Sequence, residues 1–414
     1  MCSLSRKRSM RELRLALVVV PLVAGWASGT AHAASDGYFT PEIELHAQHH
    51  TNPEMVSAKE KSATGYLANA GGVFGWRSLT SLTEFRPRIE YNNYSSRKDL
   101  RHINQYADLQ NRFTSLRAEW NLVANYARES SYSAQQTSAV YDEFDPDDPT
   151  VDATGDISLI SETRTRVQAR PSFSYRFSDR LGTELSAFYQ SVSGEADSTG
   201  SIVDYRDTSA SAALFWSLSP QSQLAAGVYS AKYKTDDGSN ETTGKGVSFE
   251  LNQKWSETFS SRWALNLERT KVDQTGLLAD DTGNSWGAEY SLRRVFVLGD
   301  IRLTLGRIFS PSSGGTRATV DQARVQYYRN FKPRWAYLVA VRGIRNRDQG
   351  VGIGRYNRDY LTGNLQLNWD MTQTWYLTGG YSHYWQKYVV SGAKSQNNVL
   401  SLGIGYRGLG PQNR

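Results

Sequence analysis

Residues 163–177, TRTRVQARPSFSYRF, decide how the chain reads. Thr163, Thr165, Val167, Ala169, Pro171, Phe173, Tyr175 and Phe177 fall on one side of an extended backbone. Arg164, Arg166, Gln168, Arg170, Ser172, Ser174 and Arg176 fall on the other. Period two marks a strand with one apolar and one polar face. The pattern recurs at 118–126, where Ala118, Trp120, Leu122, Ala124 and Tyr126 oppose Glu119, Asn121, Val123 and Asn125. At 247–255, Val247, Phe249, Leu251 and Trp255 oppose Ser248, Glu250, Asn252 and Lys254. Near the end, Leu361, Leu365, Leu367 and Trp369 oppose Tyr360, Thr362, Asn364, Gln366 and Asn368. Helical periodicity is almost absent from residue 36 onward.

Alternation alone also suits a soluble sandwich; the connections discriminate. Short ones fall at 77–80, 114–117, 178–180, 219–221, 256–260, 297–300, 332–334 and 370–373. Between them lie long ones near 49–63, 94–103, 130–161, 193–202, 234–243, 272–283, 310–317, 346–355 and 387–396. Eight short and nine long connections join eighteen strands, with sixteen as the lower bound. Transmembrane barrels combine short periplasmic turns, longer outer loops and an even strand number in this way. The fold class expected is therefore all-β, an antiparallel up-and-down transmembrane barrel with both termini in the periplasm.

Tryptophan placement points the same way. Trp76, Trp120, Trp216, Trp255, Trp263, Trp335, Trp369 and Trp375 flank short turns, whereas Trp286 and Trp385 sit at the loop ends of their strands. Indole favours the membrane–water boundary, having an apolar body and one N–H to satisfy. The eight form the expected periplasmic girdle. The only cysteine, Cys2, excludes a disulfide scaffold and a thiolate zinc cluster.

Residues 1–33 read as a cleaved signal peptide, leaving 34–414 as the barrel. Arg6, Lys7, Arg8, Arg11 and Arg14 supply a basic start, Leu15 to Ala24 a short apolar run, and Ala31-His32-Ala33 the cleavage site. The formal charge of the whole chain is +6, but the part beyond residue 33 carries 42 basic and 40 acidic side chains. That balance removes the case for nucleic-acid binding.

The runs RFTSLRAEWNLVANYARESS (112–131) and RVQARPSFSYRFSDRLGTELSAFYQSVSG (166–194) resemble a family of β-barrel porins. Its members belong to exopolysaccharide-synthesis and exosortase-associated (PEP-CTERM) loci of Gram-negative bacteria. The resemblance covers most of the chain and rests on strand–turn–strand texture. It implies an outer-membrane barrel and, by analogy with the alginate-export porin, a role in passing polysaccharide outward. The partners implied are outer-membrane lipid, the barrel-assembly machinery, a polysaccharide and a periplasmic export protein. One departure concerns the C-terminus. Such barrels usually stop at an aromatic residue, whereas here Gly408–Arg414 follow Tyr406.

The polar faces carry two candidate basic tracks lining the pore. Arg164, Arg166, Arg170 and Arg176 run down one strand, and Arg302, Arg324, Arg342 and Arg358 cross four successive strands. Glu250, Glu268 and Glu289 mark an opposing wall. Guanidinium groups bind carboxylate, sulfate or phosphate bidentately, and in a channel they concentrate anions. The expected activity is passive export of an anionic polysaccharide. The alternatives are a general-diffusion porin, or a structural or surface-display barrel whose arginines brace the wall against acids such as Glu184 and Asp207.

Other candidates carry less. The acidic run from Asp142 to Asp156 offers oxygen ligands for Ca²⁺ but lacks EF-hand spacing. His46 and His50 share a face about 13 Å apart along a strand, too far for one ion, so no metal site or cofactor is expected and an exposed polar rim is. A barrel lipase, deacylase or protease would need a histidine paired with a serine or aspartate. Ser382 and His383 are adjacent and point to opposite faces, so they form no dyad; His102, in a loop near Asp99, is the other candidate, and no enzyme is expected.

Overall fold

The computed structural model describes residues 36–55, 57, 61–95, 97, 100–130, 163–194, 203–274, 281–311, 317–348 and 357–409. The proposed leader 1–33, the acidic run 142–156 and residues 410–414 lie outside them. The strands are β1 (Asp36–His50), β2 (Ala63–Arg77), β3 (Ser81–Tyr94), β4 (His102–Thr114), β5 (Ala118–Ser130) and β6 (Thr163–Arg176). Next come β7 (Leu181–Gly194), β8 (Tyr205–Ser219), β9 (Ser222–Thr235), β10 (Asn240–Ser256), β11 (Phe259–Gln274) and β12 (Asp281–Phe296). The last six are β13 (Gly299–Pro311), β14 (Arg317–Lys332), β15 (Trp335–Asp348), β16 (Arg358–Asp370), β17 (Trp375–Tyr388) and β18 (Lys394–Arg407).

Every strand pairs antiparallel with its sequence neighbours, and β18 pairs with β1 from Glu42↔Arg407 to His50↔Val399. The eighteen-stranded sheet therefore closes on itself. Tyr406 belongs to the last pairs, opposite Ile43 and Trp375, and Arg407 follows it as the final strand residue.

Exposure is inverted relative to a soluble protein. Leu400, Leu402, Val228 and Ile43 are between 56% and 66% exposed on the outer surface. Asn104, Thr362, Gln386 and Asn397 are fully buried within. A continuous outward apolar surface of this kind is stable only against hydrocarbon, since each Å² left in water costs about 25 cal/mol. The chain is a transmembrane β-barrel.

The short turns hold two to four residues and stand where expected. Two of the expected long connections are tight instead. Residues 236–239 close β9–β10, with Gly238 at φ 73° and the Asn240 N–H donating to Thr235 Oγ1 at 3.0 Å. Residues 389–393 close β17–β18. Hydrophobic alternation stops where a strand leaves the hydrocarbon, but backbone pairing continues through the polar tips.

Two glycines near the closing seam admit neighbouring rings. A Cβ on Gly405 would collide with the Tyr376 ring, whose hydroxyl donates to Glu44 across the seam. One on Gly403 would collide with His46. Gly405→Val should therefore lower barrel stability by about 1–3 kcal/mol, the usual cost of overpacking. Gly379→Ala, with open space around it, should be silent. Urea unfolding of the two variants in lipid vesicles checks this.

Candidate channel lumen

The inward side chains form three distinct settings. On β3–β6, alternation turns Glu84, Arg86, Arg88 and Glu90 inward while Phe85, Pro87 and Ile89 face outward. Glu90 accepts from Asn92 and Asn104 at 2.7 Å each, and Asn104 Oδ1 accepts from the Ser130 N–H. Beside Ser130, Glu129 accepts from Arg164 at 3.0 Å and from the Tyr106 hydroxyl at 3.2 Å. The Arg164–Glu129 side chains are 4% and 3% exposed, so this ion pair lies inside the wall rather than in the water path. Lower on β6, the Arg170 guanidinium covers the Phe188 ring at 4.8 Å, Arg166 is half-buried and Arg176 is exposed near the short turn.

On β10–β13 acids and bases interleave. Arg262 bridges Glu250 at 2.7 Å and Glu289 at 3.5 Å, joining three strands. Asp300 accepts from Arg302 at 2.8 Å and from Arg293 at 3.3 Å. Glu268 accepts from Thr270 and fills space left by Gly244 on β10. The acids holding Arg164 and Arg302 are thus Glu129 and Asp300, neither of them the expected braces Glu184 and Asp207.

On β14–β16 the setting differs. Arg324 stands directly opposite Arg342 in register at mid-strand. Like charges so placed repel, because opposed Cβ atoms are only about 5 Å apart. Arg324 donates to Gln326 at 3.2 Å, Arg342 to Gln322 at 3.5 Å and Arg358 to Gln386 at 2.8 Å. An amide oxygen orients a guanidinium without cancelling its charge. Between Arg342 and Arg358 lies a buried apolar cluster of Val320, Ile344, Tyr360, Tyr384 and Val399. The second track therefore has a basic centre and a separate basic tip, with an apolar collar between them.

Met55 completes that cluster from the start of the β1–β2 connection, where residues 51–55 pack inward. The Asn52 N–H donates to Asn397 Oδ1 at 3.0 Å, the Met55 carbonyl accepts from Gln386 at 3.1 Å, and Glu54 meets Arg97 at 2.5 Å. Polar residues 51–54 carry no periodic signal, so alternation did not reveal this contact. The inward residues Arg86, Arg88, Arg112, Arg262 and Arg293 were legible by the same alternation but were not singled out.

His50 overturns the expected exposed rim. It is fully buried, with Tyr94 Oη 3.3 Å from its Nε2 and Asn397 beside its Nδ1. The long-loop mouth is packed on this side, which takes the ring out of water. His46 lies 3.3 Å from Glu44. His383 faces outward against Asn398 at 2.8 Å while Ser382 faces the lumen; Asp99, the companion proposed for His102, lies outside the described residues. Among the described residues no three His, Cys, Asp or Glu side chains gather as a metal site.

The outward tryptophans sit as two sets. Trp76, Trp120, Trp216, Trp255, Trp263 and Trp375 are exposed near the short turns. There Trp335 and Trp369 stack at 5.3 Å, and Trp263 meets Tyr290 at 4.2 Å. Trp286 and Trp385 lie toward the other end of their strands.

No protein-family model and no curated protein matches the chain. Solved structures similar to it include OccAB3 of Acinetobacter baumannii, at 11% identity over 90% of this chain and 99% of that one, with a TM-score of 0.44. OccK2 (OpdF) of Pseudomonas aeruginosa, in complex with glucuronate, is similar at 11% identity over 90% and 99%, with a TM-score of 0.45. A bacterial polysaccharide outer-membrane secretin aligns at 10% identity over 89% and 98%, with a TM-score of 0.34.

Glu129→Gln should destabilise the barrel by about 3–5 kcal/mol, because it leaves Arg164 charged and buried beside a neutral amide. Pairing it with Arg164→Met should restore most of the loss in urea unfolding. Excising residues 52–55 should raise single-channel conductance in planar bilayers by removing an occupant of the mouth.

Proposed function

We propose that this barrel is an outer-membrane channel of a Gram-negative bacterium that conducts anionic solutes passively. Its cargo is a secreted anionic polysaccharide handed over by a periplasmic export partner. The observation that carries this reading is the Arg324–Arg342 pair, opposed in register at mid-lumen. Two cations held face to face repel one another and attract an anion between them. Eighteen strands enclose more space than single inward side chains fill, so an aqueous path remains beside them. A charged polymer sliding through needs contacts weak enough to release at each step.

The bracing alternative draws support from the buried Arg164–Glu129 pair. It accounts for β6 but leaves the β14–β15 opposition without a structural benefit. Reversal potentials under a KCl gradient test the assignment. The unaltered channel should favour chloride, and Arg324→Gln with Arg342→Gln should cut the anion-to-cation permeability ratio several-fold. Unchanged selectivity rejects the pair as the filter. For the cargo, a polyuronate oligosaccharide should interrupt the current in a voltage-dependent way where neutral dextran of equal length does not; equal behaviour rejects an anionic glycan.

A further inference from the structure

The outward face of β8–β12 changes character row by row toward the long-loop end. Ala212, Val228, Val247, Leu267 and Trp286 stand opposite one another across the five strands, forming an uncharged apolar row. Two residues further along each strand the row reads Ala210, Ser230, Lys245, Arg269 and Asn284. The next reads Thr208, Lys232, Thr243, Lys271 and Thr282. Acids enter only in the row beyond, where Arg206, Lys234, Glu241 and Asp273 are aligned. Lys232, Lys245, Arg269 and Lys271 are all exposed, and Lys232 reaches toward Glu241 at 2.5 Å.

A band two rows deep, about 7 Å along the strands per row, is therefore basic and free of carboxylates. It begins where the apolar row ends on these strands, and the phosphates of a bilayer leaflet lie just outside its hydrocarbon. Lys245 and Arg269 are directly opposed, a destabilising arrangement unless an anion bridges them. Immediately toward the membrane, Phe249, Leu265, Trp263, Trp286, Tyr290 and Leu305 border an apolar concavity of about 580 Å³. Arg307 borders it as well, its guanidinium 4.5 Å over the Trp286 ring and tied to Asp321 at 2.6 Å.

From this we infer that the β8–β12 face binds a phosphorylated glycolipid of the outer leaflet. Its phosphate lies on the Lys245–Arg269 band and an acyl chain in the concavity below. Charge complementarity fixes the headgroup: ammonium and guanidinium donors meet phosphate oxygens, and no acid in these two rows repels them. Cations on the lipid face cost several kcal/mol at the bilayer centre and little at its boundary, so the band occupies the depth where a phosphate partner is available. This assignment is independent of what the lumen carries.

Native mass spectrometry of the full barrel in detergent, with divalent ions chelated, tests it. Bis-phosphorylated lipid A is the probe, compared with its dephosphorylated form and with inorganic phosphate. The unaltered protein should retain one lipid A, and Lys245→Gln with Arg269→Gln should weaken binding about tenfold. Lys245→Arg should keep it. Arg345→Gln with Arg347→Gln, an equal charge loss on the outward face of β15, should leave it unchanged. Equal retention of dephosphorylated lipid, undiminished binding by the Lys245/Arg269 double variant, or an equal loss in the β15 control overturns the assignment. Displacement of lipid A by equimolar inorganic phosphate also overturns it, since the acyl chain would then contribute nothing. Each variant is first shown folded by its heat-dependent shift in gel mobility.

Discussion

Hydrocarbon offers no partner to a peptide N–H or C=O, so the sheet must leave no edge inside the bilayer. Everything else in this protein depends on β1 meeting β18. The seam is held by nine consecutive register pairs and by side chains that reach across it. Arg407 donates to Glu42 at 3.1 Å, and Tyr376 on β17 reaches Glu44 on β1 over Gly405 of β18. Gly403 and Gly405 are small because rings from both sides lie over them. Closure at eighteen strands also sets a circumference that single side chains cannot fill, and so hands the interior to water, networks and an inward loop.

The interior handles charge in two ways, and the difference bears on transport. On β10–β13 each arginine shown meets a carboxylate: Arg262 holds Glu250 and Glu289, and Arg293 and Arg302 share Asp300. Such pairs stiffen the wall and cancel their own field. On β14–β16 glutamine side chains accept from Arg324, Arg342 and Arg358, and register sets Arg324 opposite Arg342. A low-dielectric wall focuses the field of its charges into the water beside it. One barrel thus has a wall of interleaved acids and bases and another where arginines stand in register.

Much of this was readable from period and punctuation. Segment 163–177 assigned its own faces because Phe173 and Arg170 cannot share a side in a bilayer, and turn residues such as 220–221 and 333–334 marked one rim. Strand length beyond the membrane was not readable, because Lys232, Lys234 and Glu241 resemble loop while their backbones stay paired. Partner choice was not readable either. Arg164 meets Glu129 because 131–162 is a connection between adjacent strands, a long-range fact that alternation does not encode. His50 and Met55 were missed for a related reason. Burial inside a barrel depends on what folds into the mouth, and sequences that enter a mouth are as polar as those that leave it.

The outer rim shows how register carries information that composition hides. Lys245 and Arg269 are far apart in sequence and unremarkable singly, yet antiparallel pairing sets them side by side. The same pairing aligns Glu241 with Asp273 two layers higher and Val247 with Leu267 one layer lower. A sheet that continues past the hydrocarbon converts alternating strands into local rows of like chemistry across neighbouring strands. Shifting one strand by a single residue would turn its cations into the lumen and bring the inward residues to lipid. The hydrophobic belt therefore fixes the register, and through the register it also fixes the height at which every surface charge meets the leaflet.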